Sequence, residues 1–166
     1  MGTARGIRVE GDLAYVLLTQ GYVAVIDSSD VHLVDGRLWH AQKGKTAVYA
    51  VSNTRTADGK RSLLPLHMAL TGFGRTDHID GDGLNNIRSN LRSATVAQNS
   101  HNQRRGRNNT SGFKGVHHEA QTGRWRACIR LNGKLHRLGR FETPEDAHKA
   151  YCKASVEMHG EFGRAV

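Results

Sequence analysis

Glycine spacing limits the folds open to this chain more than any other feature. Nineteen glycines stand against two prolines in 166 residues, so apolar runs are short and turns are frequent. Leu13-Ala-Tyr-Val-Leu-Leu, Tyr22-Val-Ala-Val-Ile, Arg37-Leu-Trp-His and Thr46-Ala-Val-Tyr-Ala-Val are β-branched or aromatic runs of strand length. Gly21, the Asp27-Ser-Ser-Asp segment, Asp35-Gly36 and Gly44 separate them. Asp35-Gly36 reads as a hairpin turn, and Asp58-Gly59 as another between Val51-Ser-Asn-Thr-Arg and Arg61-Ser-Leu-Leu. Residues 1–60 are therefore expected to form a small antiparallel β module without a catalytic constellation of its own.

Residues 62–72 read as a short helix, capped by Ser62 and ended by Gly72. The stretch from Thr76 to Leu91 is polar, rich in Gly, Asn and Asp, and too long for a tight turn; such loops tend to carry function. Thr95 to Asn102 reads as a helix, with Thr95 as N-cap and Gln98 three residues on. Asp77-His78 with Asn90 and Asn99 has the makings of a phosphodiester-cleaving site. A hard divalent cation prefers oxygen ligands, which a carboxylate and an amide carbonyl supply. An imidazole next in sequence points to the other side of a strand, so it can take a proton from water without competing for the cation. A buried Asn can bridge a loop backbone as donor and acceptor at once. Asp80-Gly-Asp-Gly does not continue as a calcium loop, because Ser89 stands where a bidentate Glu is needed.

From Thr76-Asp-His-Ile-Asp-Gly through Asn90-Leu-Arg to Gln98-Asn99, the sequence resembles the HNH endonucleases. Within them it looks most like the homing enzymes of phages and mobile introns. The resemblance implies a ββα-metal fold over residues 61–102. It implies that Asp77 and Asn99 hold one Mg²⁺ or Mn²⁺, that His78 is the general base and that Asn90 braces the loop. Many family members end the motif in histidine; Asn99, as in the homing branch, favours Mg²⁺ over softer metals. Family members often carry a histidine where His67 stands, which makes His67 a further candidate at the phosphate.

Charge is uneven along the chain. Residues 1–100 hold 11 basic and 9 acidic side chains, and residues 101–166 hold 13 and 6, so most of the +9 lies in the last third. A basic region of this kind implies a polyanionic partner. Residues 103–112 contain no apolar side chain and read as a flexible linker, whose Arg104, Arg105 and Arg107 can lie along phosphates. Residues 113–141 read as three strands. Along Arg124–Arg130, Trp125, Ala127 and Ile129 fall on one face, and Arg124, Arg126, Cys128 and Arg130 on the other. Asn132-Gly133 signals a hairpin, and Thr143-Pro-Glu-Asp opens a helix that Gly160 closes. That helix would cover the Trp125 face and leave the arginines open.

These strands and turns, with Ser111-Gly-Phe-Lys-Gly-Val-His and Leu138-Gly-Arg-Phe-Glu-Thr-Pro-Glu-Asp-Ala, resemble the AP2 (ethylene-response-factor type) DNA-binding domain over residues 111–162. The resemblance implies a sheet laid in the major groove, where arginine reads guanine bidentately. It carries the DNA face onto His117, Arg126, Arg130 and Arg137, with Arg124 and Lys114 at phosphates. Arg137 and Cys128 replace the tryptophan and the acid of the plant pattern, so no base preference carries over.

No run approaches the ~20 apolar residues of a membrane span, and Met1-Gly-Thr-Ala-Arg is not followed by a signal core. Cys128 and Cys152 can form neither a disulfide framework nor a four-cysteine zinc site. The expected compartment is the cytoplasm. The expected molecule is α+β: a β module (1–60), an HNH nuclease (61–102), a basic linker (103–112) and an AP2-like domain (113–162). It would cut duplex DNA with Mg²⁺ or Mn²⁺, as a monomer or homodimer, without a small-molecule cofactor. The competing expectation is a non-cleaving, sequence-specific DNA-binding regulator with a decayed site. A structured-RNA binder would need more exposed aromatics.

Overall fold

Alternation builds the first sheet. β1 (Ile7–Glu10), β2 (Leu13–Leu17) and β3 (Val23–Asp27) pair antiparallel in that order. Ala14 lies opposite Ile26 and Val16 opposite Ala24, and all four are buried, as partners on one pleated face must be. The computed structural model describes residues 6–44, 47–103, 106 and 108–164. One helical turn, α1 (Val31–Val34), follows β3, so Asp35-Gly36 ends a helix instead of joining two strands. Val34 is buried, and its carbonyl accepts from Trp39 Nε1 at 2.9 Å.

β4 (Trp39–Lys43), β5 (Val48–Arg55) and β6 (Arg61–Pro65) form the second sheet, in that order. β5 is one strand where the sequence suggested two, and the Asp58-Gly59 hairpin joins it to β6. The helix expected from Ser62 starts only at Leu66: α2 is Leu66–Thr71. Ser62 to Pro65 are still paired with β5. Gly72 ends α2 at φ +69°, a left-handed stop that glycine adopts without strain. β7 (Thr76–His78) pairs with β8 (Leu91–Ser93) and holds the polar loop between them.

A boundary at residue 60 does not survive in the core. Leu66, Leu70 and Leu91 are buried in one cluster with Val16, Ile26, Val34 and Trp39. Three leucines are too few to exclude water alone, and small segments fold by sharing a core. Two further ties cross that boundary. Val25 N donates to Leu84 O at 2.9 Å and Asn86 N to Val25 O at 2.7 Å. Arg88 forks onto the buried Asp30 through Nε and Nη2, each at 2.8 Å. Residues up to Ala94 accordingly form one compact unit, and those from Thr95 another.

The second unit begins with α3 (Val96–Asn102), where Thr95 and Gln98 form the expected capping box. The boundary therefore precedes this helix, and does not lie in the stretch 103–112. Lys114 explains why: its Nζ donates to His101 O at 2.6 Å and Gln103 O at 2.7 Å, capping the helix end. His101 also stacks on His159, with ring centroids 3.6 Å apart. Three antiparallel strands follow, β9 (Val116–Glu119), β10 (Arg124–Leu131) and β11 (Lys134–Phe141), in the order β11-β10-β9. α4 (Pro144–His159) is capped by Thr143, whose hydroxyl accepts from Asp146 N. It covers the Trp125, Ala127 and Ile129 face with Ala147, Tyr151 and Ala154. At Gly115 (φ +73°) an added Cβ would collide with the Tyr151 ring and Cys128 O, so the strand approach itself requires glycine here.

Candidate active site

The loop between β7 and β8 is closed by side chains from within itself. Asn90 Oδ1 accepts from Asp80 N at 3.0 Å, while its Nδ2 donates to Asp80 Oδ1 at 3.0 Å and Asn85 O at 2.8 Å. Asp80 also accepts from Asp82 N (2.8 Å) and Asn85 Nδ2 (2.7 Å), and Asp82 accepts from Leu84 N (3.0 Å). These are turn-forming side-chain bonds of the kind Asn and Asp favour. Burial pushes the Asp80 carboxyl up, but the bonds from Asp82 N, Asn90 and Asn85 outweigh it and hold the group below the usual carboxylate range. Gly83 lies so close to Val48 O and the Tyr49 ring that no Cβ fits.

His78 ends β7 and is only 5% exposed. Its Nε2 lies 3.2 Å from Asn86 Oδ1. The His67 ring stands edge-on to it with centroids 5.0 Å apart, and the Tyr49 ring lies at 6.0 Å. Burial lowers the His78 pKa, against opposing pulls from the Asn86 bond and the Asp80, Asp77 and Asp82 charges. Burial, then the neighbouring His78, takes His67 down to about 4. Both imidazoles are thus biased towards the neutral form, the form that accepts a proton.

Asp77 precedes His78 and is 3% exposed. It lies in register with Arg92 on β8, whose Nε and Nη2 reach Asp77 Oδ2 at 3.0 and 2.8 Å. His67, Asp77, His78 and Asn90 thus all belong to the first unit. Asn99 sits exposed on α3 and belongs to the second.

In the second unit, register places His117, Arg126 and Arg140 in one row across β9, β10 and β11, with Cys128 and Arg137 in another. Arg124 pairs with Glu142 at 3.0 Å, and Arg130 Nη1 donates to Gly133 O at 2.7 Å. The face is not free of acids. Glu119 holds Arg126 at 3.0 Å and Arg140 at 2.6 Å. Lys114, expected at a phosphate, points instead to the end of α3, where burial and then Arg164 lower its pKa to about 8. Arg104, Arg105 and Arg107 lie outside the described residues.

Protein 3.8 of Escherichia phage T7 is 36% identical over 88 residues, which are 53% of this chain and 72% of that protein. The chain belongs to the family of that phage protein. A protein of Acanthamoeba polyphaga mimivirus named "Uncharacterized HNH endonuclease L560" is 38% identical over 86 residues, 52% of this chain and 43% of that protein. The chain thus spans less than half the length of the mimivirus relative. No protein-family model and no solved structure matches.

Among the described residues no group of three or more His, Cys, Asp or Glu side chains could hold a metal. The donor set fits only a cation that needs few protein ligands. Mg²⁺ keeps several waters and is held by one or two carboxylates together with phosphate, so the Asp77 carboxylate suits it in chemistry. Arg92 already balances the Asp77 charge and would have to share that carboxylate. Two residues of this family member escaped sequence reading. Arg140 was missed because a bulge between Ala127 and Cys128 shifts the β10–β11 register, with Gly139 at φ +142°. Simple alternation puts Arg137 and Arg140 on opposite faces; the shift returns both to the open one. Asn86, fully buried, had no local signal beyond its place beside Asn85.

Proposed function

We propose that this chain is a metal-dependent HNH endonuclease that hydrolyses phosphodiester bonds in duplex DNA, a homing-type enzyme guided by an AP2-like sheet. The observation that carries this reading is a buried His78 biased towards neutrality, next to Asp77, on a loop locked by Asn90. The name of the mimivirus relative supports the same chemistry. His78 would take the proton of a water attacking phosphorus. Cleavage of the bond to the 3′-oxygen would leave 5′-phosphate and 3′-hydroxyl ends. Mg²⁺ or Mn²⁺ held by Asp77 and Asn99 would supply Lewis-acid stabilisation of charge developing on the phosphate. Asn90 would keep the loop from opening. His67 would stay neutral behind His78 and add no repulsive charge.

The open face of the second unit would bind the duplex electrostatically. Arg126, Arg130, Arg137 and His117 would face base edges and Arg124 the backbone. One such site per chain gives a nick by a monomer or a double-strand break by a homodimer. The chain would work in the cytoplasm of a phage-infected or bacterial cell.

The ion pair between Arg92 and Asp77 favours one competing reading, a DNA-binding regulator whose metal ligand has been taken over. His78→Ala separates the two. It should abolish cleavage while DNA affinity stays within about twofold of wild type, measured by gel shift with the uncut substrate. Loss of binding in this variant would make His78 a structural residue. Specific binding by wild type without cleavage would favour the regulator.

A further inference from the structure

We propose that Asn86 is the positioning residue of the base: it accepts a hydrogen bond from His78 Nε2–H and so makes Nδ1 the proton-accepting atom. This rests on the reading of His78 as general base.

The orientation of the Asn86 amide decides the tautomer. Asn86 is fully buried. Its Nδ2 donates to Gly83 O at 3.3 Å, and its Oδ1 lies 3.2 Å from His78 Nε2. A flipped amide would set its carbonyl oxygen against the Gly83 carbonyl, two acceptors with no proton between them. Oδ1 therefore faces the histidine, and only a protonated Nε2 can bond to it. A neutral imidazole carries one ring proton, so its accepting lone pair is on Nδ1.

The backbone fixes Asn86 in turn. Its N–H donates to Val25 O at 2.7 Å, and Val25 N donates to Leu84 O at 2.9 Å. β3 thus clamps the loop on both sides of Asn85, with a parallel bridge between Val25 and Asn85. On the other side, the Gly83 backbone rests against Val48 O and Tyr49. The N-terminal sheet, which the sequence left without a role, holds the base through this one amide. Histidines that act on substrate commonly have one nitrogen fixed this way so that the other is aimed.

The test starts from the whole chain without metal or DNA, using long-range ¹H–¹⁵N correlation of the ring of His78 near neutral pH. The expected result is a single Nε2–H tautomer with a ring proton that exchanges slowly with water. An Nδ1–H tautomer in wild type would overturn the proposal. Asn86→Asp keeps an acceptor facing Nε2 and should keep the tautomer, at a cost in stability because its second oxygen meets Gly83 O without a proton between them. Asn86→Leu removes it, and should lose the slow proton and lower kcat about a hundredfold, within the range of general-base catalysis, with KM and DNA affinity unchanged. Equal kcat in Asn86→Leu and wild type would also overturn it. If wild type shows the Nε2–H tautomer but cuts no DNA, the nuclease reading fails and the assignment of Asn86 stands.

Discussion

The loop around His78 and the open sheet face of the second unit are both polar, but they are held in opposite ways. Around the loop, four polar groups are buried and hydrogen-bonded: Asn90, Asn86, Asp77 and His78 are each less than a tenth exposed, while the Asp80 and Asp82 carboxylates beside them are exposed. On the sheet, Arg124, Arg130 and Arg137 are exposed. Arg124 meets a rim acid and Arg130 a turn carbonyl, while Glu119 holds Arg126 and Arg140. Burial makes each interaction in the loop costly to break and keeps charge off its histidines. Exposure makes each sheet interaction weak and exchangeable, which suits the proposed duplex-binding role, in which these arginines would trade their partners for phosphates. A fixed geometry in one unit and an adaptable charge in the other is what the proposed nuclease would need.

The sharpest way to break this contrast is Arg92→Ala. It removes the guanidinium paired with the buried Asp77 carboxylate, and should destabilise the metal-free first unit by up to roughly 3–5 kcal/mol, the usual cost of removing one partner of a buried pair, read by urea denaturation. Added Mg²⁺ should recover part of the loss. A change below ~1 kcal/mol, the range of surface pairs, would put the loop in the same class as the sheet.

The next test acts on the sheet. Arg126→Ala with Arg130→Ala should weaken DNA binding and flatten its salt dependence, by up to about 0.9 in slope for each phosphate that is no longer neutralised. Thermal stability should barely change. Glu119→Gln should move affinity the other way, because it releases Arg126 and Arg140. An unchanged slope in both variants would remove the sheet from the interface.

The smallest effect concerns acid. His67 binds its proton near pH 4 in the folded chain and near 6.5 when unfolded. The unfolded state therefore takes up more protons between these values, and stability falls as pH drops from 6.5 towards 4. In His67→Leu the fall across this window should be shallower, measured as Tm against pH. An identical fall would mean that His67 is not held neutral by burial.

What the sequence revealed follows the range of the interactions. The loop was legible because Asp77, His78 and Asn90 stand close in sequence, and the capping box of α3 because Thr95 and Gln98 are three apart. The second unit was legible because clean alternation in β10 and the Thr143-Pro144 start of α4 are local signals. The shared core was not. Leu66 and Leu91 meet Ile26 and Trp39 across long stretches of chain, and no local pattern records such a meeting. The unit boundary at Ala94 escaped for the same reason, since it depends on Lys114 reaching back to α3. Arg140 escaped because a bulge changes the period that alternation assumes.

The most direct measurement is cleavage of supercoiled plasmid by wild type and His78→Ala, with Mg²⁺ or Mn²⁺ and with EDTA. Wild type should convert the plasmid to open circle or linear form with metal alone, and His78→Ala should leave it supercoiled. Equal cleavage by the two proteins, or cleavage that survives EDTA, would contradict His78 as the base of a metal-dependent nuclease.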